Sequence, residues 1–414
     1  MRLVWCAAVV FLLASGLGQA GLLHPTPTTA TEADEVRAWL ASLQFTTAGN
    51  PGFGAVRVSD TVGHQGGGKD WYQVNPYFAN QGMLGYVRST APDHLTRTWN
   101  HIQWTLDNRN ATDGRILNHW YTANGAEEAT CPPGIEAGDP QHRCNYEDAS
   151  DAYAATFLTL VQAYDAEGGS AALLGGSGVQ AALEQIADLI VGLIDTDGLT
   201  WARADYHVKF LMDNAEAYQG LRAMQSLEAD VYLDATKAAQ YGADATDLKS
   251  AIHDEFFQAP DGPYAISKDA AGALQQANPA VWYLGAAPQF WPVLTGAATA
   301  TDTATTKALA WVETYWGGST PRNWTHNSVD PSGQHWAAAG HAAHLAGLDA
   351  HARTHTEYLL CRVLEPLYPI EGGFWWPFHA GDAGFLLQNL DAGLTLPDGA
   401  FVCPPRTIGV WFPK

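Results

Sequence analysis

The feature that most constrains this chain is an alternation between two kinds of helical segment. Residues 178–194 are amphipathic, with Val179, Leu183, Ile186, Ile190 and Leu193 recurring at steps of three and four. Residues 148–167 just before them are apolar around most of the circumference, through Ala149, Ala152, Tyr153, Ala155, Phe157, Leu158, Leu160, Val161, Ala163 and Tyr164. A helix that is apolar all round must be covered on every side, whereas a striped one lies on a surface. One of each makes a pair with an inner and an outer member.

The alternation recurs along the sequence. Segments 75–89, 206–229 and 334–348 read as inner, and 93–106, 231–257 and 350–365 as their outer partners. Segment 280–294 is apolar but carries Pro288 and Pro292, so it is expected to be kinked or short, with 302–316 outside it. The last inner helix is expected at 382–391, and 32–44 can close a ring beside it. The result is an all-α expectation: six helical hairpins in a toroid, (α/α)6, with inner and outer helix rings and few or no strands. Ala and Gly in the inner segments suit a crowded centre. Ile116–Thr122 is the one place where a short hairpin is read. A linear solenoid of helical pairs is the alternative, but no residues recur at fixed repeat positions.

The N-terminus reads as an export signal. Arg2 is followed by an apolar run from Leu3 to Leu13, and Gly18 and Ala20 stand where a cleavage site needs small residues. The run is shorter than the ~20 residues that span a bilayer. Residues 1–20 are therefore expected to be a signal and 21–414 a single secreted domain of catalytic type, since no Pro/Ser/Gly linker divides it. Export agrees with the cysteines. Once Cys6 leaves with the signal, Cys131, Cys144, Cys361 and Cys403 remain, an even number with three possible connectivities. The sequential pairs Cys131–Cys144 and Cys361–Cys403 close moderate loops and are favoured. Sequons stand at Asn110 and Asn323.

Forty-three acidic residues against twenty-one basic ones give a formal charge of −22, which argues against nucleic acid or an anionic membrane as partner. Charged residues make up only 15% of the chain, too few for a disordered acidic polymer. A monomer is the expected state.

With this helix-pair count, the sequence resembles the six-hairpin glycosidase superfamily, the (α/α)6 toroid. Two stretches carry the resemblance locally: Asn145-Tyr-Glu-Asp-Ala-Ser-Asp-Ala-Tyr-Ala-Ala-Thr-Phe157, and Trp201-Ala-Arg-Ala-Asp-Tyr-His-Val-Lys-Phe-Leu-Met-Asp-Asn-Ala-Glu216. The likeness spans nearly the whole mature chain as architecture and assigns no particular glycosidase family. It implies a cleft at the N-terminal ends of the inner helices, where the loops 108–147, 195–205, 258–279, 317–333 and 366–381 gather. In and beside those loops stand Trp120, Tyr121, Trp201, His335, Trp336, Trp375 and Trp376, aromatic and polar groups suited to stacking on and bonding sugar rings. Packing beneath the loops is the competing role for each.

Glycoside hydrolysis needs two carboxyl groups facing each other across the bond. One cluster at an inner-helix start holds Glu147, Asp148 and Asp151, where Asp148 has either a helix-capping or a catalytic role. The next holds Asp205, Asp213 and Glu216, and Glu371 and Asp382 form a third. The expected pair is a carboxylate from Asp148/Asp151 opposed by one from Asp205/Asp213, with Arg203 and Lys209 holding a polar or acidic substituent. An i,i+4 ion pair between Lys209 and Asp213 is the structural alternative. His341 and His344 read as satisfied core histidines rather than metal ligands. No phosphate loop, nucleophile elbow or dinucleotide fingerprint is present, so no cofactor or metal is expected; Gly66-Gly-Gly68 reads as a flexible loop. A polysaccharide lyase or uronate epimerase using Tyr206, His207, Arg203 and Lys209, and a non-catalytic carbohydrate-binding protein, are the rival functions.

Overall fold

The computed structural model describes residues 29–135, 146–257, 262–317, 336–363, 378–391 and 394. Its helices are α1 Thr29–Ser42, α2 Pro76–Val87, α3 His94–Asn108, α4 Ser150–Ala166, a single turn α5 Ala171–Leu174, α6 Val179–Gly192, α7 Leu211–Asp230, α8 Ala235–Phe256, the short α9 Trp291–Leu294, α10 Thr303–Trp316, α11 Ala337–Leu345, α12 Asp349–Val363 and α13 Ala380–Asp391. Local chemistry fixes several of the starts. Asn75 accepts the Phe78 N–H ahead of Pro76 at the first helical position, and Asp234 accepts the Thr236 and Lys237 N–H groups.

The alternation read from the sequence becomes two concentric rings. Fourteen of the seventeen residues of α4 are buried against five of the fourteen of α6, and α11 buries six of nine against six of fifteen for α3. Inner neighbours follow one another as α2, α4, α7, α9, α11 and α13, and α13 packs back on α2. That last contact closes the toroid and excludes an open solenoid. Outside it, α3 covers α2, α6 covers α4 and α7, α8 covers α7, and α12 covers α11; α1 covers α13 and completes the sixth pair. Closure depends on very small residues. A Cβ on Gly85 would lie 2.1 Å from the Gly384 carbonyl oxygen, and one on Gly384 would lie 2.1 Å from that of Gln81. A side chain at either position would push α2 and α13 apart.

The proline-bearing segment is irregular, as expected. Short turns at Trp282–Ala286 and Ala287–Phe290 lead into α9, and Tyr283 and Leu284 have non-helical backbone angles. No helix of the described residues is long and apolar enough to cross a membrane.

The strands are few and short, within the all-α expectation. β1 His64–Gly66, β2 Lys69–Val74, β3 His119–Thr122 and β4 Glu128–Ala129 form one antiparallel sheet; β5 Val208–Phe210, β6 Ser267–Asp269 and β7 Leu274–Gln275 form another. The glycine run is no flexible loop. Gly67 and Gly68 are the two central residues of a tight hairpin, both at positive φ, a turn that side chains disfavour. β2 runs directly into α2 and β5 directly into α7, so both sheets stand at the N-terminal ends of inner helices. Segment 206–229 therefore opens as a strand, and the helix starts only at Leu211.

Of the expected cysteine pairs, Cys144, Cys403 and the side chain of Cys361 lie outside the described residues, as does Asn323. Asn110 sits in a surface turn, where its side chain accepts the Thr112 N–H.

Candidate active site

The starts of α4 and α7 bring four carboxyl groups together. Asp148 and Asp213 line one pocket of about 110 Å³, with Ala149, Tyr206, Phe210, Met212, Ile266, Tyr283, Leu284 and Pro288 as the remaining wall. Asp148 is exposed and precedes the helix, whose capping position is taken by Ala149. Asp213 lies in the first turn of α7, half-buried, with no hydrogen-bond partner for its carboxyl among the described residues.

Asp151 and Glu216 are buried away from the pocket lining. Asp151 is inaccessible to solvent; its Oδ2 accepts the Thr200 hydroxyl at 2.6 Å and its Oδ1 the Ala152 N–H at 2.9 Å. Thr200 is itself clamped, because Asn214 accepts its N–H at 2.7 Å and donates to its carbonyl at 3.2 Å. Glu216 lies three residues beyond Asp213, on the same helix face. Its Oε1 accepts the Tyr77 hydroxyl from α2 at 2.7 Å and the Trp291 indole N–H from α9 at 2.9 Å, while Oε2 is buried without a partner.

Electrostatics follows from that geometry. Burial pushes the Asp151 carboxyl up to about 7 and that of Glu216 up to about 8, against the hydrogen bonds that favour their charged forms. Asp213 is raised well above the ordinary range by desolvation first and then by the charges of Asp151, Glu216 and Asp148. The shift favours its protonated form while it faces an open pocket, the combination that suits a general acid.

The structure separates the other expected site residues from this pocket. Asp205 is exposed and paired with Arg203 at 2.8 Å, which lowers its carboxyl below the usual range. Arg203 also donates to the Glu147 carbonyl and covers the Tyr146 ring at 4.3 Å. Lys209 is not one helical turn from Asp213, because it belongs to β5. Its ammonium is buried between Asp195 and Asp197, at 2.6 Å from each, over the Trp201 ring at 3.9 Å. The alternative ion pair of Lys209 with Asp213 does not form, because the ammonium is paired with Asp195 and Asp197. Trp120 and Tyr121, expected as sugar platforms, are fully buried in β3, Trp120 beneath Trp71 and Tyr121 beside Phe45 and Trp104. Trp201 is half-buried under Lys209 and His207.

Trp336 starts α11 and its ring stands 5.2 Å from that of Tyr283, so it supports the pocket wall. His335, Trp375, Trp376 and Glu371 lie outside the described residues. His341 and His344 are satisfied by Asn389 and Asp349. Among the described residues no group of His, Cys, Asp and Glu is arranged to hold a metal ion. The sequence reading did not single out Tyr77, Thr200, Asn214, Tyr283 and Trp291. Only their spatial convergence on the carboxyl groups marks them, although an unpaired Glu216 inside an apolar helix was itself a signal.

No protein-family model matches the chain, and no curated protein matches it in sequence. Solved structures do match its fold. A glycosidase in complex with glucose aligns over 88% of this chain and 96% of its own, with TM-score 0.55 and 14% identity. A family 63 mannosylglycerate hydrolase from Thermus thermophilus, in complex with glucose, aligns over 88% and 100%, with TM-score 0.54 and 12% identity. A rhamnosidase from Klebsiella oxytoca with rhamnose bound aligns over 89% and 66%, with TM-score 0.54 and 14% identity. The chain shares with these solved structures its fold, an (α/α)6 toroid of helical hairpins.

Proposed function

We propose that this chain is an exported glycoside hydrolase in which Asp213 is the general acid and Asp148 the opposed carboxylate. The observation that carries this reading is that these two carboxyl groups line one pocket, Asp213 half-buried and pushed toward its acid form by desolvation, Asp148 open to water. Asp213 gives its proton to the glycosidic oxygen as the bond to the anomeric carbon breaks. Asp148 either takes a proton from the attacking water, which inverts the centre, or attacks it directly, which retains it. The anomer first formed, read by proton NMR, tells the two courses apart. Tyr206 and Tyr283, both exposed at the pocket, supply the apolar faces on which a sugar ring stacks, in place of Trp120 and Tyr121.

The lyase or epimerase reading needs a cation beside the substrate carboxylate. Arg203 and Lys209 are committed to Asp205, Asp195 and Asp197, and the described lining of the pocket contains no Lys, Arg or His. A uronate would instead meet Asp148 and Asp213. The fold neighbours act as models for the first substrates to try. Purified protein is incubated with aryl glucosides, mannosides and rhamnosides and with a polysaccharide panel, read by released phenol, reducing ends and ultraviolet absorbance. Released sugar without absorbance is the expected outcome. An absorbing unsaturated product would establish a lyase, and binding without turnover a carbohydrate-binding protein.

A further inference from the structure

Three carboxyl groups, Asp151, Asp213 and Glu216, are enclosed together where α4 meets α7, with Asp148 at the mouth. Like charges this close cannot all form, so the group shares a limited negative charge, and hydrogen bonding decides who carries it. The groups that act on Asp213 are Asp151 and Asp148 from the α4 start and Glu216 from its own helix, with the Tyr283 phenol beside it from the irregular segment and the Tyr77 phenol reaching it through Glu216 from α2. From β5 comes Lys209, but its ammonium is turned to Asp195 and Asp197. No cation among the described residues compensates the cluster.

The three acids are solvated unequally by the protein. Asp151 has a donor on each oxygen, Thr200 Oγ1 at 2.6 Å and the Ala152 N–H at 2.9 Å. Glu216 has two donors on Oε1 and nothing on Oε2, which suits a protonated carboxyl with its hydrogen on Oε2. Asp213 has no donor among the described residues. We propose that Asp151, fixed by Thr200 and Asn214, carries the negative charge of this cluster and so keeps Asp213 in its acid form, ready to protonate the departing oxygen. Asp151 is then a positioning residue: it touches no substrate and acts through its charge on Asp213. This inference rests on the hydrolase reading for its purpose but not for its test.

The test is a carbon-13 NMR titration of the side-chain carboxyls in protein labelled at aspartate, with resonances assigned by their loss in Asp213→Asn and Asp151→Asn. In the unsubstituted protein the Asp151 resonance should titrate at lower pH than that of Asp213. In Asp151→Asn the Asp213 midpoint should fall by about one pH unit or more. If Asp151→Asn does not fold, Thr200→Val takes its place: losing the hydroxyl donor should raise the Asp151 midpoint and narrow the gap to Asp213. The proposal is overturned if Asp213 titrates first, or if its midpoint ignores Asp151→Asn and the gap ignores Thr200→Val. The titration needs no substrate, so absence of turnover would strike the hydrolase reading while leaving this result standing.

Discussion

Two sets of enclosed charges lie at the N-terminal end of α7, and they are built on opposite principles. On the β5 side, the Lys209 ammonium sits between Asp195 and Asp197, and Lys268 bridges Asp197 to Glu255 at 2.8 and 2.7 Å. Every charge there has a partner, and the carboxyls of Asp195 and Asp197 are held below the ordinary range. Just beyond β5, Asp213 and Glu216, joined by Asp151 from α4, have no cation among the described residues and are all pushed upward by burial. The first arrangement stabilises loops that lead into the helix. The second costs stability and is tolerated where chemistry needs a proton. Compensation, more than burial, separates the charges that pair within the fold from those proposed to act in catalysis.

That contrast can be broken by substitution. The largest effect on stability is expected from Lys209→Met, which removes the buried ammonium that Asp195 and Asp197 share, leaves Lys268 as the remaining cation on Asp197, and should cost about 2 kcal/mol, read by denaturant unfolding. Asp213→Asn should leave stability unchanged or raise it, because it removes a member of a like-charge group. Equal losses from both substitutions would erase the distinction.

A smaller effect concerns the pH dependence of stability. Glu216 has a folded-state value of about 8 against an ordinary 4.5, so the folded protein binds more protons than the unfolded chain between those limits. The stability it contributes is fully present below about 4.5 and is lost as pH rises through about 8. The melting temperature should therefore decline across that window, and Glu216→Gln, which keeps an acceptor for Tyr77 and Trp291, should flatten the decline. An unchanged slope would mean that Glu216 is already ionised in the fold. The smallest effect is that of Tyr77→Phe, which removes one of the two donors to Glu216 Oε1 at a cost of about 1–2 kcal/mol. An unchanged unfolding midpoint would show that this bond adds nothing.

The rings were legible in the sequence because burial on all sides and burial on one side leave different periodicities. Pro288 and Pro292 marked the one inner segment that is not a regular helix, and α1 fell beside α13 as expected. The site was legible only where a helix start carried an acid. Asp148 and Asp213 meet at the pocket because adjacent inner helices present the same end. Lys209 was misread because Val208, Lys209 and Phe210 are too few to show strand alternation, and its partners lie 12 and 14 residues upstream across a loop. Trp120 and Tyr121 look like sugar platforms in a loop-rich stretch. Only the packing of both faces of the sheet, Trp120 in one cluster and Tyr121 in another, shows that they are buried. Tyr77 reaches Glu216 from 139 residues away, a contact that no local pattern encodes.

The central claim is that Asp213 supplies the proton, and leaving-group dependence tests it most directly. A sugar or alkyl leaving group needs protonation to depart, whereas a dinitrophenolate does not. For Asp213→Asn, kcat/KM on an alkyl glycoside should fall by about 10²–10⁴, while kcat/KM on the matching dinitrophenyl glycoside stays within an order of magnitude of the unsubstituted enzyme. Equal losses on both substrates, or no loss on either, would contradict the assignment.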